Sequence, residues 1–541
     1  MVTFQPNERL KATLEAEILG SKGTSNGGSH VFFLTPSYVN QSIVAALLSQ
    51  GIPQATVDAL MAAAPKTFRQ AYGTDNIKEL QLDYNRSYLN NELKFTSATT
   101  SIFGDLSYRF SDHWTSQTTV TYSRTTNKGY MGYQYLLPNY LLNFIESLSS
   151  GTPGFGTPGH DYLARMVWSP GGHTSNVEIQ QNFISDYRFS NGMRNRAVAG
   201  LDFSNFQSDI RYNRFYGSLR GLPFPDVFDV VPSRGEVPGY GDFNLNSVKQ
   251  AYAQNESASL DYIYNDLIYS AYVNDIFNFS EHFILNAGLR LDHFSRKGSY
   301  DQTTLSPKFG VIVSPWKKVL SLFANYQNGF TNKNGVDASG KGFRPEEADQ
   351  WEAGLKYHFA GGKITGSISY YDIVVKNVVR ADVNNPMFNV QDGERQSKGL
   401  EIEILANPLR GWNLIAGYAY NQSKYTKAEA DVQGRRPEAS GPPNAFNFWT
   451  NYTFTSTLMK GLGLGAGVNY AGEAASVSLN TDGSMIVPAY TLVTAHVTYD
   501  QPRWKVGVRI NNLTDQHYWM GWTNMIPQRP RQVTLTLGVK L

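Results

Sequence analysis

The carboxyl end of the chain alternates between apolar residues and polar or small ones. Apolar side chains occupy every second position and polar or small ones lie between them: Val533, Leu535, Leu537, Val539 and Leu541 against Thr534, Thr536, Gly538 and Lys540. Successive side chains of a β-strand point to opposite faces, so this segment predicts a strand with one apolar and one polar face. The pattern recurs from about residue 282 onward, with short polar turns and long aromatic connections in alternate places.

A strand of a soluble sandwich shows the same alternation, but the asymmetry of the connections favours a membrane protein. Short turns on one rim, long loops on the other and an apolar outer face are typical of a transmembrane antiparallel β-barrel. Composition agrees, with 13% aromatic residues, 48 glycines and 17% charged residues. No run of about 18 apolar residues occurs, so a membrane-spanning helix is not expected. The predicted fold class is therefore all-β, a transmembrane barrel.

The connections also predict the number of strands. Short turns rich in Gly, Pro, Ser, Asp or Asn are placed on the periplasmic rim, at 111–114, 190–195, 280–282, 314–318, 361–363, 407–412 and 500–503. Nine longer connections are placed outside, at about 20–97, 127–176, 208–258, 294–303, 329–348, 377–395, 425–443, 473–488 and 513–529. Nine outer loops and their flanking strands give about 18 strands.

The first outer loop carries helical signals of its own. Residues 39–50 and 55–64 are rich in Ala, Leu, Ile and Val, with breaks at Gly51, Pro53 and Pro65. Each run is shorter than the roughly 20 residues that a membrane span needs. We expect two short helices in a small lid packed on the extracellular mouth.

Several kinds of chemistry find no support in the sequence. A net charge of +2 indicates no general polyanion partner, so nucleic-acid binding is not expected, and the absence of cysteine excludes disulfides and thiolate metal sites. The nine histidines show no ligand spacing, and no G-x-S-x-G motif appears. Gly461, Gly463, Gly465 and Gly467 are spaced by two, which suits one strand face better than a phosphate loop. We predict no enzyme activity, no protein-bound metal and no cofactor.

A larger set of residues resembles a known family in both order and spacing: Leu305, Ser306, Pro307, Lys308, Gly310, Asn325, Tyr326, Gly329, Phe330, Phe343, Pro345, Glu346, Trp351, Glu352, Gly354, Lys356, Tyr371, Lys376, Asn377, Val378, Gly399, Glu401, Glu403, Asn511, Asn512, Leu513, Asp515, Tyr518, Arg529, Pro530 and Arg531. This pattern is similar to the barrel of TonB-dependent outer-membrane receptors, especially the ferric-siderophore branch, over about residues 260–541. Most of these residues are of types that build strands and turns, so they identify the family without forming its binding site.

The resemblance implies a receptor and transporter for ferric-siderophore uptake in the outer membrane of a Gram-negative bacterium. Its implied partners are a ferric siderophore or similar chelate, outer-membrane lipid and lipopolysaccharide, and the TonB-ExbB-ExbD system acting through a plug. Iron is expected only as part of the bound siderophore. Cobalamin or an oligosaccharide as the nutrient, and a passive pore as the function, remain alternatives.

The ends of the chain depart from the family pattern. The chain finishes on Leu541, whereas family members commonly finish on an aromatic residue. Residues 4–17 resemble the family's second periplasmic turn and the following strand, and no signal peptide precedes them. We therefore expect residues 1–541 to form the barrel portion, with the N-terminal plug and about four of 22 strands absent. A complete 18-stranded barrel remains the alternative.

Two outer loops carry the candidate ligand-binding residues. The first set interleaves cationic and aromatic side chains: Arg211, Tyr212, Arg214, Phe215, Tyr216 and Arg220. The second set is His517, Trp519 and Trp522. A large rigid chelate can use rings for apolar contact and guanidinium groups for anionic oxygens. The alternatives are a surface that packs or contacts lipopolysaccharide phosphates and, for the second set, membrane-girdle aromatics.

Overall fold

The structure is a computed structural model of the 541-residue chain. It describes residues 1–24, 31–80, 82–87, 90–149, 154–156, 161–219, 222–237, 239–381, 389–521 and 524–539. Arg220 and Trp522 of the predicted site, and the terminal Lys540 and Leu541, lie outside the described residues.

Strands dominate the structure. They are β1 (Val2–Phe4), β2 (Leu10–Thr24), β3 (Val31–Phe33), β4 (Lys94–Arg109), β5 (Trp114–Gly129), β6 (Met131–Leu137), β7 (Tyr162–Arg188), β8 (Arg194–Leu219), β9 (Leu222–Pro225), β10 (Val227–Pro232), β11 (Glu256–Asn278), β12 (Phe283–Arg296), β13 (Tyr300–Trp316), β14 (Leu320–Thr331), β15 (Glu346–Phe359), β16 (Ile364–Ala381), β17 (Asn389–Ala406), β18 (Trp412–Lys427), β19 (Asn444–Thr453), β20 (Leu462–Ala471), β21 (Ala474–Leu479), β22 (Gly483–Val487), β23 (Tyr490–Asp500), β24 (Trp504–Asn511), β25 (Trp519–Met520), β26 (Asn524–Pro527) and β27 (Gln532–Val539).

Eighteen of these strands form the barrel wall within the described residues. Each pairs antiparallel with the next in the order β2, β4, β5, β7, β8, β11, β12, β13, β14, β15, β16, β17, β18, β19, β20, β23, β24 and β27. The predicted all-β antiparallel fold is confirmed, and the number of wall strands agrees with the expected one.

The predicted alternation separates the two faces of the wall. On β12, Leu289 and Leu291 are exposed at 43% and 47%, whereas Arg290 and Asp292 bind each other on the opposite face, with Nε to Oδ1 at 2.9 Å. The apolar residues of β27, Val533, Leu535, Leu537 and Val539, are likewise exposed. Lipid favours the apolar face and a hydrated lumen favours the charged one, so Leu289 marks the outside and Arg290 the inside.

Strands extend into each of the nine predicted outer loops, and two of these loops contain the longest strand segments. Sequence patterns placed loops at 127–176 and 208–258, but β7 begins at Tyr162 and β8 continues to Leu219. Pro170, Gly171 and Gly172 lie in the predicted loop and are of types common in turns, yet all three residues pair with β8. At Gly172, φ is +132° and an added Cβ would lie 1.9 Å from the carbonyl oxygen of Asp209, so glycine is required by the close pairing. Strand pairing thus overrides the local turn signal.

These long strands reach well beyond a bilayer. With 27 residues, β7 extends about 90 Å, roughly three times the thickness of a bilayer's hydrocarbon core. Its outer part joins a mixed sheet formed by β26, β3, β6, β7 and β10. The outer rim of the barrel therefore contains regular secondary structure beyond the bilayer.

Helices from the outer loops pack against this sheet. They are α1 (Pro36–Ser49), α2 (Gln54–Met61), α3 (Phe68–Tyr72), α4 (Asn139–Ser149) and α5 (Leu245–Gln254). The two helices predicted in the first loop are confirmed as α1 and α2. Of the helices in the described part of the chain, none is long and apolar enough to span a membrane.

One apolar cluster unites several outer loops, and we call the resulting unit the cap. Val39, Ile43 and Leu47 recur at a spacing of four on one face of α1 and are buried beside Met485 of β22 and Trp519 of β25. The Asp482 carboxylate accepts hydrogen bonds from Ser37 N at 3.0 Å and Ser37 Oγ at 2.7 Å, which ties the β21–β22 hairpin to the start of α1. The first and eighth outer loops are thereby fixed to one another.

Within the described residues, one edge strand of the wall has an unpaired side and the other has a side that is paired only in part. β27 pairs only with β24, and the free side of β2 pairs only with the three residues of β1. Above this seam the cap connects the two ends, because β26 pairs with β3 through Asn524 opposite Phe32 and Met525 opposite Val31. The predicted absence of a plug and four strands is not tested by this geometry and stays a prediction.

The stability of the cap is expected to depend on pH through Asp161. Burial raises the pKa of this carboxyl to about 7, although its Oδ1 accepts a hydrogen bond from Asn139 N at 3.3 Å and Arg234 favours the charged form. The unfolded pKa is about 3.9, so the folded state holds the proton more tightly and stability falls as pH rises from about 4 to 7. We expect Asp161→Asn to remove this fall, a gain on the order of 4 kcal/mol at pH 8. Protease resistance of the cap measured from pH 4 to pH 8 checks the result.

Asp58→Asn provides the control for that experiment. Asp58 is exposed on α2 and accepts a hydrogen bond from the Gln54 side chain at 2.7 Å. Its replacement should leave the pH profile as in the parent protein. A profile that keeps its full slope in Asp161→Asn would contradict the assignment to Asp161.

Candidate functional site at the mouth of the barrel

Four aromatic side chains form a continuous series at the outer end of the wall. Ring centroids are 4.4 Å apart for Tyr133 and Trp168, 5.6 Å for Trp168 and Tyr212, and 5.5 Å for Tyr212 and Tyr262. These four residues lie on β6, β7, β8 and β11, and we call them the aromatic strip. The spacing is that of interacting aromatic pairs, so the rings fix one another's orientation.

Strand register places the lower part of the strip on the inner face of the wall. The β8–β11 pairing runs without a shift from Tyr212 opposite Leu260 to Arg194 opposite Asn278. Tyr212 is therefore on the same face as Asp202, and Tyr262 is on the same face as Ser270. Arg290 binds Asp202 at 2.7 Å on the inside of the barrel. The strip consequently faces inward at the mouth.

Exposure increases along the strip toward the lumen. Burial raises the pKa of Tyr133 strongly and also raises that of Tyr212, and both lie above the membrane-spanning part of the wall. Tyr262 at the other end is 47% exposed. The strip thus runs from the half-buried edge of the cap to a ring that a ligand in the mouth can contact.

A buried carboxylate holds two polar groups beside the strip. The Oδ2 atom of Asp226 accepts hydrogen bonds from Arg214 Nε at 2.8 Å and from Trp168 Nε1 at 3.1 Å. Asp226 is 1% exposed, whereas the side chain of Arg214 retains 30% exposure. Arg214 follows Tyr212 by two residues and is on the same face. A cation and a series of rings therefore meet at the mouth.

A second ring and cation continue the inner face below the strip. The Arg296 guanidinium carbon is 3.9 Å from the Tyr264 ring centroid, and its Nε donates to Asp266 Oδ1 at 2.5 Å. Tyr264 follows Tyr262 by two residues on β11, so both rings face inward. Aromatic and guanidinium groups are thus interleaved in depth.

The first predicted set is divided between different environments. Tyr212 and Arg214 lie at the strip, but Arg211 is on the outer face, 59% exposed and 3.7 Å from Asp209. Phe215 is 1% exposed in a separate apolar cluster, and Tyr216 is 50% exposed beyond it. The ligand-binding role of the whole set stays a prediction, and only two of its described members meet the strip.

The second predicted set belongs largely to the cap. Trp519 is 7% exposed within the main apolar cluster. His517 stacks on Tyr84 with centroids 4.2 Å apart and ring planes 6° apart, and Tyr84 meets the Trp519 ring edge-on at 5.7 Å. These contacts connect the first and last outer loops. A ligand-binding role for His517 and Trp519 also stays a prediction.

Sequence reasoning overlooked Tyr133, Trp168, Tyr262 and Asp226. The alternation of Tyr133 with Tyr135 was a usable signal, because it shows the period of a strand inside a stretch predicted as loop. Tyr262 alternates with Tyr264 in the same way, whereas Trp168 carries no comparable local signal. They meet Tyr212 only because three distant strands are paired.

The site offers flat apolar surface and hydrogen-bond donors for a bulky ligand with anionic oxygens. Aromatic rings bury apolar area at low conformational cost, and guanidinium groups match carboxylate or similar oxygens. Among the described residues, no group of three or more His, Asp or Glu side chains is arranged to hold a metal ion.

Comparison with known proteins gives one family. The family model described as "TonB dependent receptor-like, beta-barrel" matches residues 48–513. The chain is 32% identical over 240 residues to the metal-pseudopaline receptor CntO of Pseudomonas aeruginosa, covering 44% of this chain and 33% of that protein. It is 25% identical over 462 residues to the ferrichrome outer membrane transporter/phage receptor of Escherichia coli, covering 82% and 58%. The chain thus spans less than two thirds of these relatives.

Solved structures agree on the fold. The ferripyoverdine receptor of the Pseudomonas aeruginosa outer membrane superposes with a TM-score of 0.72 at 16% identity, covering 99% of this chain and 63% of that one. The ferric preacinetobactin receptor BauA of Acinetobacter baumannii gives a TM-score of 0.67 at 18% identity, covering 99% and 70%. The eighteen-stranded wall and its cap therefore have the architecture of these barrels.

Proposed function

Since this chain belongs to the TonB-dependent receptor family of Gram-negative outer-membrane β-barrels, we propose that it forms the wall and ligand-capturing mouth of a ferric-siderophore receptor. Members of this family are transporters, and no catalytic role is assigned to the chain. Iron would enter only as part of the bound chelate. Uptake would draw its energy from the TonB-ExbB-ExbD system acting through a plug.

The observation that supports this proposal is the inward-facing aromatic strip with Arg214 beside it. A siderophore complex is too large and too rigid to be held by one side chain, and it must be captured before it enters the lumen. Tyr212 and Tyr262 present their rings at the mouth, and their contact at 5.5 Å makes them one surface. This aromatic surface lies at the mouth, where a chelate must be captured before it enters the lumen.

The strip is tested by comparing two tyrosines of β11. Tyr262 is 47% exposed on the inner face and Tyr269 is 50% exposed on the outer face. Tyr262→Ala should weaken binding of a ferric siderophore about fivefold, because one aromatic contact is worth roughly 1 kcal/mol. Calorimetric titration of the purified barrel with a panel of ferric siderophores measures the change.

Tyr269→Ala removes the same side chain from the same strand and should leave the affinity unchanged. Equal weakening in both variants would assign the effect to barrel stability and contradict a binding role for the strip. A panel in which cobalamin or an oligosaccharide binds and no ferric chelate does would redirect the proposal to that nutrient.

The outward Arg211 suits a different partner. Its exposed guanidinium lies on the face that meets the outer leaflet, where lipopolysaccharide phosphates are available. We propose contact with outer-membrane lipid for Arg211 and ligand contact for Tyr212 and Arg214. The passive-pore alternative predicts a broad ohmic conductance that ferric siderophores do not block.

A further inference from the structure

Asp226 combines three unfavourable features: a left-handed backbone conformation, a buried carboxylate and, within the described residues, a buried oxygen atom without a hydrogen-bond partner. Its φ is +62°, a left-handed conformation that residues other than glycine rarely adopt. Its carboxylate is 1% exposed, and within the described structure its Oδ1 atom is buried without a hydrogen-bond partner. Burial raises the pKa of this carboxyl, although Arg214 and Trp168 oppose the shift. Each feature costs stability, and such costs concentrate at functional sites.

The backbone around Asp226 keeps the residue in this position. Its N–H donates to Phe215 O at 2.8 Å, and its carbonyl accepts from Val167 N at 3.2 Å. These two bonds join the turn between β9 and β10 to both β8 and β7. The carboxylate is therefore a fixed point against which neighbouring side chains are oriented.

The hydrogen bond between Asp226 and Arg214 uses Nε of the guanidinium and leaves its two terminal nitrogen atoms available. Asp226 Oδ2 takes the Nε donor, and Arg214 NH1 and NH2 have no other partner among the described residues. Those two nitrogens form the planar fork that binds a carboxylate or similar pair of oxygens. The same Oδ2 accepts from Trp168 Nε1, so one atom orients both the fork and the ring of the strip.

We propose that Asp226 is a positioning residue, which turns Arg214 and Trp168 together into a site for an anionic oxygen pair carried on or beside a planar ring. The proposal rests on the proposed function and deepens it, because it assigns the ligand class as an anionic chelate such as a catecholate or an aryl carboxylate. Arg214 and the strip contact the ligand. Asp226 acts through them.

The direction in which one substitution changes the affinity for an anionic ligand distinguishes a positioning role from a simple effect of charge. Asp226→Asn keeps a side chain that tolerates the left-handed conformation but makes the site more positive by one charge. If only charge mattered, an anionic ligand would bind more tightly. Positioning predicts the opposite, an affinity about tenfold lower, because the fork and the indole lose their common acceptor charge.

The experiment uses the full chain in detergent and two probes, 2,3-dihydroxybenzoate and an anionic ferric tris-catecholate, with the neutral ferrichrome complex as a comparison. We expect Asp226→Asn and Arg214→Lys each to weaken binding of both anionic probes about tenfold and to leave ferrichrome affinity unchanged. Asp209→Asn is the matched control. Asp209 faces outward on β8, 3.7 Å from Arg211, and its replacement should change nothing.

The outcomes are distinguishable. Unchanged or tighter binding of the anionic probes in Asp226→Asn would overturn the positioning role, while binding of ferric chelates by the parent protein would still support the proposed function. Binding of 2,3-dihydroxybenzoate with the expected losses, but of no ferric chelate, would uphold the site and overturn the proposed function. Failure of the parent protein to bind any probe would overturn both.

Discussion

Replacing Arg165 with Met is expected to destabilise the cap by about 3 kcal/mol, because it leaves the partly exposed carboxylate of Asp229 and the carbonyl of Tyr240 without their buried donor. Arg165 is 1% exposed on β7. It binds both carboxylate oxygens of Asp229, with Nε to Oδ1 at 2.7 Å, and its NH1 donates to Tyr240 O at 3.0 Å. The guanidinium carbon also lies 5.0 Å from the Phe243 ring centroid. The loss in the free energy of unfolding is measured by denaturant titration, with protease cleavage of the cap as the signal of unfolding.

Two further variants make this prediction specific. Arg165→Met combined with Asp229→Asn should recover part of the loss, because no uncompensated carboxylate then remains. Arg69→Met breaks a second ion pair of the cap, between Arg69 and Asp75 at 2.8 Å, in which Arg69 is 72% exposed. That substitution should have little effect, since solvent screens exposed pairs. Equal losses for Arg69 and Arg165 would contradict the role assigned to burial.

Placing an arginine on the lipid face of β27 is expected to destabilise the barrel by roughly 2 to 4 kcal/mol. Leu535 is 65% exposed and belongs to the apolar face that first indicated a membrane barrel. Leu535→Arg brings a charge into hydrocarbon, where water cannot solvate it. Urea unfolding from lipid vesicles, monitored by tryptophan fluorescence, measures the change.

The neighbouring residue supplies the control. Thr534 is exposed and pairs with Arg509 of β24 on the opposite face. Thr534→Arg adds the same side chain one residue away, but it enters a hydrated lumen and should cost far less. If both variants lost the same stability, the assignment of the two faces would be wrong.

These predictions concern two parts of the molecule with different sources of stability. The wall is held by strand pairing and by lipid against its outer face. The cap is held by an apolar cluster built from several loops, including Ile43 of α1 and Met485 of β22, and by buried polar contacts such as that of Asp482 with Ser37. Substitutions in the cap should therefore change ligand capture without preventing insertion of the barrel.

Much of the architecture could be predicted because its signals are local. The two-residue period, the short turns and the long loops indicated the barrel, its polarity and about eighteen strands, and the apolar runs indicated α1 and α2. The extent of the outer strands could not be predicted in the same way. The Pro170-Gly171-Gly172 segment reads locally as a turn, and only pairing with β8 makes it strand.

The candidate site could likewise be predicted only in part from local signals. Interleaved arginines and rings in residues 211–216 indicated a ligand-binding segment, but adjacent residues of a strand point to opposite faces. Tyr212 and Arg214 therefore reach the mouth, whereas Arg211 turns outward and Phe215 is buried. Composition of a segment cannot tell which of its residues share a face until the strand is known to continue through it.

The sequence by itself determined that this chain builds a membrane barrel, because the alternation of apolar and polar residues is a property of each strand alone. Only the tertiary structure decided which side chains form the mouth. Trp168, Tyr212 and Tyr262 belong to three strands, and Asp226 joins them from a turn. Their meeting depends on strand register, which is set by pairing between distant segments.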